Sequence, residues 1–189
     1  MNYKIEHITA EISLKAYIAE YRDVDRFIAL CRECRFFGKR WSCPPFDFFD
    51  TEEYLSGYQT CNILGTKITF DKTLLDTNFS DNEISETVKL MLAPVRQKED
   101  ALLLAREKQT PGSCAFFGGT CNICAEGQCT RIVGKECIHP DKMRHSLESL
   151  GFDIGKTASQ LLGVPLKWGT QNRLPEYLLL VSALFTGRT

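Results

Sequence analysis

Three observations predict an α+β fold. Strand-length runs rich in β-branched and apolar residues stand near both ends and about a third of the way along the chain. Apolar residues recur at helical spacing in two long stretches, and strands and helices do not follow the regular alternation of a parallel sheet. The expectation is a small mixed or antiparallel sheet with flanking helices, in one domain over 1–189. Cysteine-rich metal-binding segments interrupt it at 31–43 and 114–140.

Taken in order, NYKIEHITA (2–10) contains a short alternating run suited to a strand. In residues 13–34, Leu14, Tyr17, Ile18, Tyr21, Val24, Phe27, Ile28 and Cys31 are spaced to share the face of one long helix or two short ones. RFFGKRWSCPPFDFFD (35–50) is a loop, because Pro44 and Pro45 rule out continued helix. CNILGTKITF (61–70) reads as a strand. Residues 80–109 open on Ser and acidic residues, as helices do, and Pro94 is expected to kink or divide that helix. A glycine-marked loop, PGSCAFFGGTC, leads to the second cysteine segment. DKMRHSLESLG is expected to be a helix stopped by Gly151, GKTASQLLG a shorter one, and PEYLLLVSALF a closing strand.

At 189 residues, 43% hydrophobic and 25% charged, the composition is that of a globular chain with a real core. A net charge of −1 gives no broad electrostatic footprint for nucleic acid. The first residues lack an apolar signal-peptide core, and YLLLVSALF is too short to span a bilayer. A cytoplasmic protein without membrane attachment is therefore expected. That compartment is reducing, so nine cysteines point to metal or thiol chemistry rather than disulfides, and an odd count fits a closed disulfide framework poorly.

Cys121, Cys124, Cys129 and Cys137 stand at C-x2-C-x4-C-x7-C spacing. A C-x2-C pair brings two thiolates from one turn to the same site, and later cysteines close the ligand set. Pro140 follows Cys137 closely, as in ferredoxin-type runs, and Gly118 and Gly119 would let backbone N–H groups approach sulfur. Four thiolates also suit tetrahedral zinc, although zinc sites usually pair two C-x2-C units. An iron–sulfur cluster of the 4Fe–4S type leads, with zinc as the alternative.

Cys31, Cys34 and Cys43 form a second, incomplete set. Cys31 and Cys34 share a helical face, and Cys43 precedes Pro44. Trp41, Phe36, Phe37, Phe46, Phe48 and Phe49 could shield a metal there. The fourth ligand is Cys114, or Cys61, or the position is open to substrate. On the bland reading the aromatics are simply core and Cys31 is a buried apolar residue.

Other patterns carry less. GFDIGKT has three residues between its glycines where a phosphate-binding loop needs four, and the segment before it reads as helix. CREC and CNIC lack the strand–helix setting of a thioredoxin-like dithiol. His7, His139 and His145 are scattered; His139 is near enough to Cys137 to touch a bound cluster, but an exposed histidine, or one supporting the ligands from behind, is the preferred reading. Arg144 and Glu148, four apart, would form an intrahelical ion pair, or support the cysteine site from behind.

The ordered set C-x2-C … GKRWSCPPF, then GGTCNICAEGQC … CIHP-x3-R-x-SLESLGFDI, resembles a cysteine-rich "predicted metal-binding protein" family of unknown function from anaerobic bacteria and archaea. The match spans most of residues 27–155. The resemblance implies metal binding through Cys31, Cys34, Cys43, Cys121, Cys124, Cys129 and Cys137. It implies no reaction, and neither Cys114 nor Cys61 matches its pattern.

The functional expectation is a small iron–sulfur electron carrier serving a partner oxidoreductase, since no general acid–base pair or activated nucleophile stands out. The alternatives are a zinc-stabilised interaction protein, or an enzyme with an open cluster at the first cysteine group.

Overall fold

Period-two alternation governs which sheet face each side chain meets, and the strands use it differently. The computed structural model describes residues 3–170 and 172–188. Asn2, where the first expected strand begins, lies outside the described residues. Strand β1 (Tyr3–Ser13) pairs antiparallel with β2 (Thr60–Phe70) from Tyr3↔Phe70 to Ser13↔Thr60. β2 pairs in turn with β4 (Tyr177–Thr186), and β4 with the short β3 (Cys114–Phe116), giving the antiparallel order β1-β2-β4-β3. With 38% of residues helical and 21% in strands, the class is α+β. Among the described residues no helix is long and apolar enough to cross a membrane.

β4 is apolar almost throughout because both of its faces are covered. Val181, Ala183 and Phe185 join Tyr17, Phe116, Leu150 and Phe152 on one face. Leu178 and Leu180 meet Ile68, Met91 and Val95 on the other, where Leu184 packs with Leu103 and Phe117. Each large side chain so buried contributes roughly 1.5–3 kcal/mol.

Helices α1 (Leu14–Tyr21) and α2 (Val24–Arg32) realise the two-helix form of the expected pattern. Ser13 caps the first and Asp23 the second, and Arg22 between them is extended and bridges to Phe152. The break divides the predicted apolar face: Leu14, Tyr17 and Tyr21 are buried, whereas α2 has no fully buried residue. Short α3 (Thr51–Leu55) and α4 (Lys72–Asp76) start on the caps Asp50 and Asp71. Helix α5 (Asp81–Gln109) begins with a reciprocal capping box between Ser80 and Glu83.

Two expectations are corrected. Of the two effects expected of Pro94, division does not occur: α5 runs through it, and Leu90, whose carbonyl loses its intrahelical donor, is 63% exposed, so water can satisfy it. Nor is residues 141–150 an α-helix. The chain runs without regular structure to a 3-10 turn at Glu148–Leu150, which Gly151 ends at φ 90°. Its backbone is committed elsewhere: the His145 carbonyl accepts from Phe117 N–H at 3.0 Å, which ties the segment to the exit of β3. GKTASQLLG does turn helically, as α6 (Ile154–Lys156) followed by a π-turn over Thr157–Leu161.

Candidate metal centre

The two cysteine groups sit side by side, with Phe36 between them. Cys31 lies on the last turn of α2, Cys34 on the turn after it, and Cys43 on the proline-rich loop. The second group follows directly from β3 through Phe117, Gly118 and Gly119. These glycines serve the backbone path: a Cβ on Gly118 would come 3.2 Å from Leu180 Cβ, and Gly119 turns at φ 83°.

Cys121, Cys124, Cys129 and Cys137 line one cavity of about 260 Å³, walled by Phe36, Arg40, Trp41, Ile132, His139 and Met143. Cys31, Cys34 and Cys43 line a second, of about 300 Å³, with Phe36, Phe37, Thr120, Ser146 and Glu148. Phe36 belongs to both walls, so the groups form two adjacent chambers. Among the described residues, no three Cys, His, Asp or Glu side chains converge on a single ion position; the thiols ring space instead.

The chambers are stitched together by polar contacts. Ser42 Oγ accepts from Cys121 N–H at 3.0 Å, and the Cys43 thiol and Thr120 hydroxyl are 3.0 Å apart. Arg40, buried with its guanidinium 3.9 Å from the Phe36 ring centre, donates to the Cys121 carbonyl and to Asn122 Oδ1 at 2.6 Å. Arg131 reaches back from the second loop to the carbonyls of Arg40 at 2.8 Å, Cys43, and Pro45 at 2.5 Å. These hydrogen bonds hold a stretch of chain with little regular structure.

Burial raises the thiols of Cys43, Cys121 and Cys124, against the smaller opposing pull of Arg40. Cys31 is pushed up to about 11, first by burial and then by the charges of Glu148, Cys43 and Cys34. Such thiols stay protonated near neutral pH, and a metal must displace those protons to bind. The backbone N–H of Ile123 opposes the rise at Cys121, and His139 N–H lies 3.4 Å from Cys137 Sγ.

The remaining expected residues fall in various places. Cys114, on β3, is buried with its sulfur 3.2 Å from the Tyr54 hydroxyl, and it lines neither chamber. Cys61 is a core residue of β2 whose thiol burial pushes up. Phe37 helps wall the first-group chamber, while Phe46 and Phe49 pack around His145, at 4.8 and 5.2 Å between ring centres. His139 does line the second-group chamber, and His7 stands on β1, 3.0 Å from Glu99. The expected Arg144–Glu148 ion pair is replaced. Arg144 grips Glu107 with two nitrogens, at 2.8 Å from Nε, and Glu148 turns into the first-group chamber. Sequence reasoning did not single out Arg40, Arg131 or Thr120. The one available signal was a basic residue inside each cysteine segment.

A family model described as "Predicted metal-binding protein (DUF2284)" matches residues 17–185. No curated protein and no solved structure was found to match the chain.

Proposed function

The chain belongs to the DUF2284 family of predicted metal-binding proteins, and from that premise we propose that it is an iron–sulfur electron relay. Cys121, Cys124, Cys129 and Cys137 hold the cluster, which exchanges single electrons with a partner oxidoreductase in the cytoplasm. The observation that carries this reading is that all four thiols wall one chamber of about 260 Å³. Four thiolates with no oxygen donor among them are the ligand set of a 4Fe–4S cluster, and Pro140 trails Cys137 as in ferredoxin-type runs.

The surroundings suit a redox role. Phe36, Trp41, Ile132 and Met143 give the chamber an apolar lining, while Arg40 and the His139 N–H beside Cys137 Sγ favour a more negative bound group. Ile132, Val133 and Ile138 are exposed on the cysteine loop itself. They offer a small apolar rim for the brief, low-area contact typical of electron-transfer partners. The neighbouring first-group chamber, across Phe36, would put a second carrier within easy reach.

Cys124→Ser tests the assignment. The variant should lose the visible absorbance and iron of one whole centre when purified without oxygen. Unchanged iron content would refute it.

A further inference from the structure

The sequence offers Cys114 or Cys61 as the fourth donor of the first cysteine group, neither of which lines its chamber, and the structure supplies a candidate of different chemistry. Resting on the reading of the chain as a metal protein, we propose that Glu148 is the fourth ligand of a second metal centre, a thiolate-held iron–sulfur site at Cys31, Cys34 and Cys43.

Four observations converge. Glu148 lines the same chamber as the three cysteines. Its Oε2 is sealed from solvent and has no hydrogen-bond partner. Among the described residues no Lys, Arg or His comes within ion-pair distance of it: Arg144 is committed to Glu107, and Arg96, whose charge does reach Glu148 from a shared cavity wall, hydrogen-bonds the Thr120 carbonyl at 2.6 Å. Cys114, the sulfur alternative, faces Tyr54 and lies outside the chamber wall. A buried carboxylate oxygen without partner is costly unless a proton or a cation meets it. Burial raises Glu148 toward the protonated form, and the three thiols beside it are donors for a cation that would displace the proton.

The fold brings the four together from separate elements. The 3-10 turn carrying Glu148 packs on α2, which carries Cys31, and Asp23 N–H bonds the Gly151 carbonyl at 2.9 Å. Thr120, in contact with Cys43, closes the far side. A carboxylate is a harder donor than thiolate, so among these ligands it holds a thiolate-rich centre least tightly. This centre therefore has one exchangeable position, which a soft exogenous donor can take.

The test compares anaerobically purified wild type, Glu148→Gln and Glu148→Cys for iron, sulfide and electron paramagnetic resonance. Glu148→Gln keeps the shape of the side chain and removes the anionic donor. Its iron should fall by roughly half, with the signals of the Cys121–Cys137 centre intact. Glu148→Cys should restore the iron with an altered resonance spectrum, and added 2-mercaptoethanol should shift the wild-type spectrum and leave Glu148→Cys unchanged. Wild-type iron and spectrum in Glu148→Gln would overturn the proposal, as would a wild type holding metal at the second group alone. Both outcomes leave the Cys121–Cys137 assignment standing, which Cys124→Ser tests separately. Should Glu148→Gln not fold, Glu148→Cys decides, and absence of first-centre iron from it sinks the idea.

Discussion

His145 shows how single residues near the centre are set by burial. It lies among Phe46, Phe49 and Tyr54, with Nδ1 3.4 Å from the Ser42 carbonyl, and is only 6% exposed. Burial, aided by the positive charges of Arg144 and Arg131, holds its imidazole down at about 4 against an ordinary 6.5. The unfolded chain then takes up a proton in this window that the folded chain refuses, so stability falls as pH falls. The loss begins near pH 6.5, is complete as pH passes below about 4, and amounts to about 3 kcal/mol. Urea unfolding of wild type and His145→Phe at several pH values checks this. The wild type should show the steeper decline between those limits, and parallel curves would contradict the account.

At the scale of elements, the first-group chamber depends on how α2 meets the turn Glu148–Leu150. Gly151 makes that approach possible. A Cβ there would lie 2.8 Å from Val24 Cα, and its φ of 90° is one that residues with side chains adopt at a cost. Gly151→Ala should destabilise the protein by about 2 kcal/mol and push α2 away from Glu148, spreading Cys31 from its neighbours. A lower thermal midpoint together with loss of iron from the Cys31 group is expected; an unchanged midpoint would contradict the packing described. Much at this scale was readable in sequence. β-branched alternation marked β1 and β2, an apolar run marked β4, and Ser80 with its acidic followers marked the start of α5. β3 has three residues and no pattern of its own, because its strand conformation comes from pairing with β4. The segment 141–150 has helical spacing, yet a tertiary hydrogen bond from Phe117 claims its backbone. Residue spacing cannot foresee such a bond.

On the scale of the whole molecule, an antiparallel sheet covered on both faces serves as a rigid base for two adjacent cysteine chambers. The cysteines that stand together in sequence line the same chamber, whereas Cys114, the candidate fourth ligand, lines neither. That the chambers are neighbours sharing Phe36 depends on loops some 80 to 90 residues apart being stitched by Arg40, Arg131 and Ser42, and Glu148 enters one of them because its turn packs on α2. Local pattern carries no trace of these contacts. They leave the 118–143 stretch with little regular structure, so metal ligation is expected to contribute to its folding as well as its chemistry. The relay reading is tested most directly by purifying the protein without oxygen, recording its visible spectrum, and measuring iron, sulfide and zinc per chain. A brown protein containing iron and sulfide, whose colour bleaches on reduction, is the predicted result. A colourless protein with stoichiometric zinc and no iron would contradict it.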